Sequence, residues 1–277
     1  MTNRPWNNAT SGNAALCEID EMTYFGEYDQ FMTAHKTEDF RRSPATFHAK
    51  HVAKTLSDPE RPAYAFGSAA HCFILEGFEA FHERFVVADG PINGKTGKAF
   101  GRATKAFAEW LEELNADGVD PITVEEFEQI EQMRANVFDH ATAAKLFAAG
   151  LPEQTIRGEL AGVPCQSRFD WLCEKRNVIV DLKTCQALNK FERDFDFFGY
   201  ARQMAFYALI RAEMTDTKPS VYVVAVEKQA PFACGVWFVT PSTIATASDD
   251  VLATLLEFKK CERSNVWPTR FETLRQI

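Results

Sequence analysis

The stretch VPCQSRFDWLCEKRNVIVDLKT, residues 163–184, decides how this chain is read. It holds two strand-like runs, Val163 to Glu174 and Val178 to Thr184, separated by the turn-forming Lys175-Arg176-Asn177. Asp170 stands late in the first run. Asp181 and Lys183 end the second, after the apolar Val178-Ile179-Val180. Side chains alternate along a strand, so Asp181 and Lys183 face one side and Leu182 the other. If the two runs pair as a hairpin, Asp170 reaches the same place. Two carboxylates and an amine gathered there are the parts needed to hold a divalent cation and assist phosphodiester hydrolysis.

Working outward, Gln154 to Leu160 has the same period of two, with Gly162-Val163 as the intervening turn. Gly199 to Ala212 is helical. Ser220 to Glu227 and Phe232 to Thr240 read as strands joined by Lys228 to Pro231, and Pro241-Ser242 opens a last helix to about Glu262. Before residue 150 the spacing is helical. Met22 to Leu56 contains Ser43-Pro44, an N-cap followed by the proline favoured at a first helical position, and Arg61-Pro62 breaks the pattern. Ala63 to Gly77 is a buried helix closed by Gly77, and Phe107 to Leu114 reads as helical. Asn115 to Pro121 is a loop. Thr123 caps a helix running to about Phe147, with Glu125 and Glu126 at its positive end. Residues 1–20 read as a loosely structured, flexible N-terminus, and residues 88–105 as a Gly-rich basic link. The order predicts an α/β (α+β) fold, a central mixed β-sheet flanked by helices. Residues 21–277 then form one domain, with a helical part over 21–150 and a sheet core over 151–277.

Composition narrows the function. Thirty basic against thirty-nine acidic residues give a net charge of −9, which argues against a protein that coats nucleic acid nonspecifically. It leaves room for an enzyme that handles DNA through a local basic channel. The seven cysteines are scattered without a CxxC, so neither a disulfide framework nor an iron–sulfur cluster is expected. No apolar run approaches the roughly 20 residues of a membrane span. The start of the chain has no apolar core of the signal-peptide kind, so a cytoplasmic protein is expected. No GxGxxG follows a strand, and Gly94 to Gly101 misses the phosphate-loop spacing.

Five pieces stand in order along the chain. They are Gly67-Ser68-Ala69-Ala70-His71 followed by Leu75-Glu76, then Glu159, then Asp170, then Asp181-Leu182-Lys183, then Gln203 with Tyr207 one helical turn later. With the strings GVPCQSRFDWL, VIVDLKT, FGYARQMAFY and VAVEKQAPFACGVWFV, they make the chain from about Ser43 to Pro268 resemble the PD-(D/E)xK nuclease superfamily. Within it, the resemblance is to the exonuclease VIII (RecE-type) recombination nucleases of phages and prophages. Each string alone is weak, and the ordered set is specific. Phe169 stands where the family motif has Pro, and Asp181 where it often has Glu. Both departures keep the ligand oxygens.

The resemblance implies a restriction-endonuclease-like core and a Mg²⁺-dependent deoxyribonuclease in which Mn²⁺ can substitute. His71, Asp170, Asp181 and the backbone carbonyl of Leu182 then become the ligands of one or two ions. Taken alone, His71 reads as a helix histidine bonded within the core. Lys183 would orient or deprotonate the attacking water, or offset charge on the phosphorus in the transition state. Gln203 would position water or the scissile phosphate, while Tyr207 either joins it or packs in the core. Glu159 either reaches the metal through a water or pairs with Arg157 or Arg168. Lys95, Lys98, Arg102 and Lys105 either grip the DNA backbone or form a solvated loop and helix face; Arg41 and Arg42 are a smaller basic patch. The family further implies 5′-to-3′ digestion of linear double-stranded DNA ends and a 3′ single strand passed to an annealing partner of the RecT kind. It also implies a ring-shaped homo-oligomer. Two other readings share the site: a restriction or repair endonuclease, and a catalytically weak protein that binds DNA ends.

Overall fold

A computed structural model describes residues 14–19, 21–57 and 63–274. The first half is helical: α1 (Glu21–Gly26), α2 (Ala34–Arg42), α3 (Pro44–Phe47), α4 (Ala63–Leu75), α5 (Phe78–Arg84), α6 (Lys105–Ala116), α7 (Val124–Asp139) and α8 (Ala141–Phe147). Three short strands interrupt it, β1 (Ala14–Cys17), β2 (Phe85–Val87) and β3 (Asp120–Ile122). The second half carries β4 (Leu151–Leu160), β5 (Val163–Cys173), β6 (Val178–Cys185), α9 (Phe191–Phe197), α10 (Tyr200–Thr215), β7 (Ser220–Glu227), β8 (Cys234–Val239) and α11 (Pro241–Ser264).

Local chemistry sets several boundaries. The Thr123 hydroxyl accepts from the Glu126 N–H while the Glu126 carboxylate accepts from the Thr123 N–H, a reciprocal cap that starts α7. The Ser43 side chain accepts from the Thr46 N–H ahead of Pro44 in α3. The predicted long helices are broken: His140 separates α7 from α8, and Met32 pairs with Cys165 between α1 and α2. The expected loose start is corrected at Ala14–Cys17, which pairs antiparallel with β4, Ala14 opposite Gly158. Four residues among polar neighbours are too few to display a period. Residues 1–13 and the predicted break at Arg61-Pro62 lie outside the described residues.

The main sheet has the order β1-β4-β5-β6-β7-β8, antiparallel throughout except for the parallel β6–β7 pair. It is the mixed sheet the sequence predicts. Helices cover both faces. Phe40, Met204, Phe206, Val251 and Leu255 pack on one side, together with Ile179 of β6. Phe73, Ile130, Met133 and Leu146 pack on the other, together with Val180 and Leu182. Each such fully buried side chain contributes about 1.5–3 kcal/mol. Alternation then places Asp181 and Lys183 on the Ile179 side, towards α10. Among the described residues, no helix is long and apolar enough to cross a membrane.

One polar tie joins α2 to α10. Three guanidinium groups share the Glu38 carboxylate: Arg41 at 2.9 Å, Arg42 at 3.1 Å and Arg202 at 2.8 Å. Burial works against the charged carboxylate, but the hydrogen bonds from Arg41 and Arg202 outweigh it and hold its pKa down at about 2. A carboxylate held below its unfolded value stabilises the fold above that value, and the contribution disappears as pH falls through the folded value. The gap from 4.5 to about 2 is worth about 3 kcal/mol. Urea unfolding at pH 7, 4.5 and 2.5 is expected to show a Glu38→Gln protein losing less stability across this window than the parent, by most of that amount. Parallel losses in the two proteins would refute the tie.

Candidate active site

β5 and β6 pair only from Trp171 opposite Val180 to Cys173 opposite Val178. Continuing that register would set Asp170 opposite Asp181, and there the strands part. The Asp170 carboxylate fills the gap, its Oδ2 accepting from the Leu182 N–H at 2.7 Å. The parting has a cause in β5. Phe169 and Leu172 both enter the α10-side cluster although they are three residues apart, so strict alternation is broken between them. Beside the break the β4–β5 ladder skips Glu153, which has φ +53°, in the left-handed region that costs a residue with a Cβ. The switch turns Asp170 towards the same spot as Asp181.

Asp181 is almost wholly buried, and its Oδ2 lies 2.6 Å from Lys183 Nζ. Its Oδ1 is buried with no hydrogen-bond partner. Burial, more than the neighbouring Asp170 charge, raises the Asp181 pKa to about 6 against the pull of Lys183. Burial likewise raises that of Asp170. For Lys183 burial favours the neutral amine, but Asp181 and Asp170 outweigh it and the pKa rises. The ammonium also lies 4.9 Å from the centre of the Tyr200 ring.

His71 arrives from α4 on the same spot, its Nδ1 3.7 Å from Asp170 Oδ2. Burial, then the Lys183 charge, lowers its pKa to about 4, so the ring is neutral at physiological pH and keeps a lone pair for a cation. Gly67 and Ser68, one turn earlier on that helix face, line the same cleft. From α10, Gln203 Nε2 donates to the Tyr207 hydroxyl at 2.8 Å, and the Tyr207 ring packs edge-on against Phe169 at 5.2 Å. Tyr207 packs in the core and also faces the cleft.

The cleft has a volume of about 910 Å³, and His71, Asp170, Lys183, Gln203 and Tyr207 all line it. Glu159 does not. It sits near the hairpin turn opposite Pro164, six residues along β4 from Glu153, or about 20 Å at the rise of a strand. The structure thus corrects the reading in which Glu159 reaches the metal through a water: the first-strand acid at the cleft is Glu153, paired with Arg168 at 2.6 Å. Nor do Lys95, Lys98, Arg102 and Lys105 line the cleft; all four are exposed, and Lys105 pairs with Glu109 at 3.0 Å. Arg84, ion-paired to Glu76, and Lys228 also face the cleft. They come from α5 and the end of β7, and no spacing in the sequence links them to the motif.

Among the described residues, no three His, Cys, Asp or Glu side chains close on one point as a ready-made metal cage. The donors do fit a hard cation that keeps part of its shell for water and phosphate, because Mg²⁺ is commonly bound by one or two carboxylates plus substrate oxygens. The buried, unpartnered Oδ1 of Asp181 is the clearest vacancy for such a ligand bond. Asp170, the Leu182 carbonyl and neutral His71 would complete the protein's share.

Comparison with known proteins agrees with this geometry. The crystal structure of a "Putative exonuclease" from Eubacterium rectale superposes with a TM-score of 0.66 at 15% identity, covering 94% of this chain and 96% of that one. At that identity the likeness shows the fold. A second solved structure, SSO0001, reaches a TM-score of only 0.26 at 11% identity over 53% of this chain and 69% of its own, and supports no argument. No curated protein matches the sequence. A family model described as "PDDEXK-like domain of unknown function (DUF3799)" matches residues 34–276, which takes in every residue of the site. With the motif order of the sequence, the strand fork at Asp170 and Asp181, and that match together, the chain belongs to this PDDEXK-like family of the PD-(D/E)xK nuclease superfamily.

Proposed function

We propose that the protein is a Mg²⁺-dependent deoxyribonuclease that digests linear double-stranded DNA from its ends, 5′ to 3′, leaving 3′ single strands. The observation that carries the reading is the buried Asp181 carboxylate. One of its oxygens has no partner, and the other is ion-paired with Lys183 at the fork between β5 and β6. A structural ion pair gains nothing from an orphaned oxygen, which costs roughly 1–3 kcal/mol or more. A cation held by Asp170, Asp181, the Leu182 carbonyl and His71 would polarise the phosphate and acidify a bound water.

The chain's own groups do the rest. The Lys183 ammonium offers a donor where negative charge grows on the phosphate oxygens. The Gln203 amide, held by Tyr207, presents its remaining hydrogen-bonding capacity to the cleft for a water or a phosphate oxygen. Arg168 and Arg84 hold positive charge on the cleft wall for the flanking backbone, each tied to an acid that fixes its direction. The name of the Eubacterium rectale neighbour favours end-dependent digestion over internal cutting. Delivery of the 3′ strand to a RecT-like annealing protein, and assembly as a ring-shaped homo-oligomer, belong to the same proposal.

Purified protein with Mg²⁺ or Mn²⁺ should degrade linear duplex DNA, release 5′-label before 3′-label, and leave closed circles intact. Intact linear DNA under every divalent cation would overturn the enzyme reading. Cutting of circles would replace it by the endonuclease one.

A further inference from the structure

The cleft does not end at the catalytic fork. A second groove of about 580 Å³ joins it, the two sharing Ala34, His35, Tyr200 and Gln203 in their walls. Arg41, Arg42, Lys50 and Arg202 line this groove against the acids Glu38 and Asp39, a surplus of two positive charges. Asp250 approaches Arg202 only loosely, at 3.9 Å. Phe198 lines one wall, with Phe197 beside it. Phe197 and Phe198 end α9 with 76% and 49% of their surface exposed, although a large apolar core lies close by. Their rings are 5.1 Å apart. Phe198 lies 5.7 Å from Tyr200 at an interplanar angle of 32°, and Tyr200 in turn carries the Lys183 ammonium at 4.9 Å. Phe197, Phe198 and Tyr200 thus form a run of ring contacts, edge-on at 81° between Phe197 and Phe198, from the surface to the catalytic lysine. Gly199, at φ +74°, makes the turn from α9 into α10, with Phe197 the last residue of α9 and Phe198 its cap.

We infer that this groove holds the strand being cleaved in unpaired form, its bases stacked on Phe197 and Phe198 and its phosphates along Arg41, Arg42 and Lys50. Exposed rings beside cations are what a single strand requires, because every base has a flat face and every linkage a charge. The exposed Asp196 beside the rings makes that rim a poor seat for a phosphate, which leaves bases as its partners. Duplex DNA hides those faces. The inference rests on the nuclease reading for its substrate, and its test does not.

Binding of a fluorescein-labelled twelve-residue oligothymidylate, read by anisotropy in EDTA, needs no turnover. Phe197→Ala/Phe198→Ala is expected to weaken it by roughly tenfold or more, with the effect on a duplex oligonucleotide much smaller. Phe197→Trp should bind at least as well as the parent. Arg42→Ala should flatten the slope of log affinity against log salt by about 0.7. If the double variant fails to fold, the single Phe197→Ala, at the more exposed ring, serves instead, with a loss of about threefold or more expected. Unchanged oligothymidylate affinity, or an equal loss for duplex, would overturn the groove. A parent protein that digests DNA while this occurs would keep the nuclease reading. A parent that cuts nothing but shows the phenylalanine dependence would lose that reading and keep the groove.

Discussion

Asp181→Asn is expected to lower kcat/KM on linear duplex DNA by about 10³-fold or more, because it removes the carboxylate best placed to hold a cation and leaves an isostere that cannot carry the charge. Lys183→Met should do the same. The double variant should be no less active than either single one, since groups acting as one unit lose their effect together. Stability should move the other way. Asp181 lies 1% exposed with an oxygen that has no hydrogen-bond partner, a state that costs the fold several kcal/mol and is only partly offset by Lys183. Removing one charge strands the other. Replacing both by neutral groups of similar size removes both desolvation costs, so Asp181→Asn/Lys183→Met should gain about 1–3 kcal/mol in urea unfolding at pH 7. Retained activity in either single variant would refute the site. A double variant less stable than the parent would mean that the pair is there for folding.

The parts of this site that could be read in advance are those set by short-range chemistry. VIVDLKT is a strand because it is apolar on both faces and bounded by a turn at Asn177, which takes φ +49° as Asn tolerates. Its period of two fixes Asp181 and Lys183 on one face. The α4 helix and the α7 cap are legible for the same reason. Nothing local announces that Glu153, between Pro152 and Gln154, adopts a positive φ. The expected strand begins at Gln154, which leaves Glu153 outside it, and the motif order puts its acid at Glu159. Arg84, Lys228 and the α2 groove reach the cleft by tertiary packing, and no spacing encodes that. β1 to β3 are too short for a period to form.

Phe169 shows how the packing and the chemistry are joined, and Phe169→Ala is expected to cost about 3–5 kcal/mol of stability. Its side chain is wholly buried between the sheet and α10, in the position where the family motif has Pro. It is also the last residue of β5 before the alternation breaks and Asp170 turns into the cleft. The ring supports Tyr207 edge-on at 5.2 Å, and the Tyr207 hydroxyl accepts from Gln203 at 2.8 Å. A cavity beneath Tyr207 frees that ring, and with it the amide that faces the cleft. The loss should therefore extend to function: in protein folded at low temperature, kcat should fall by about tenfold with KM little changed, since Phe169 itself lies too deep to touch DNA. Phe169→Leu refills most of the volume and should cost about 1–2 kcal/mol, restoring part of kcat. Thermal and urea unfolding measure the first effect, and single-turnover digestion the second. A loss under 1 kcal/mol for the alanine variant would mean that β5 can redraw its break without this ring. Asp170 would then owe its direction to the hydrogen bond from Leu182 alone.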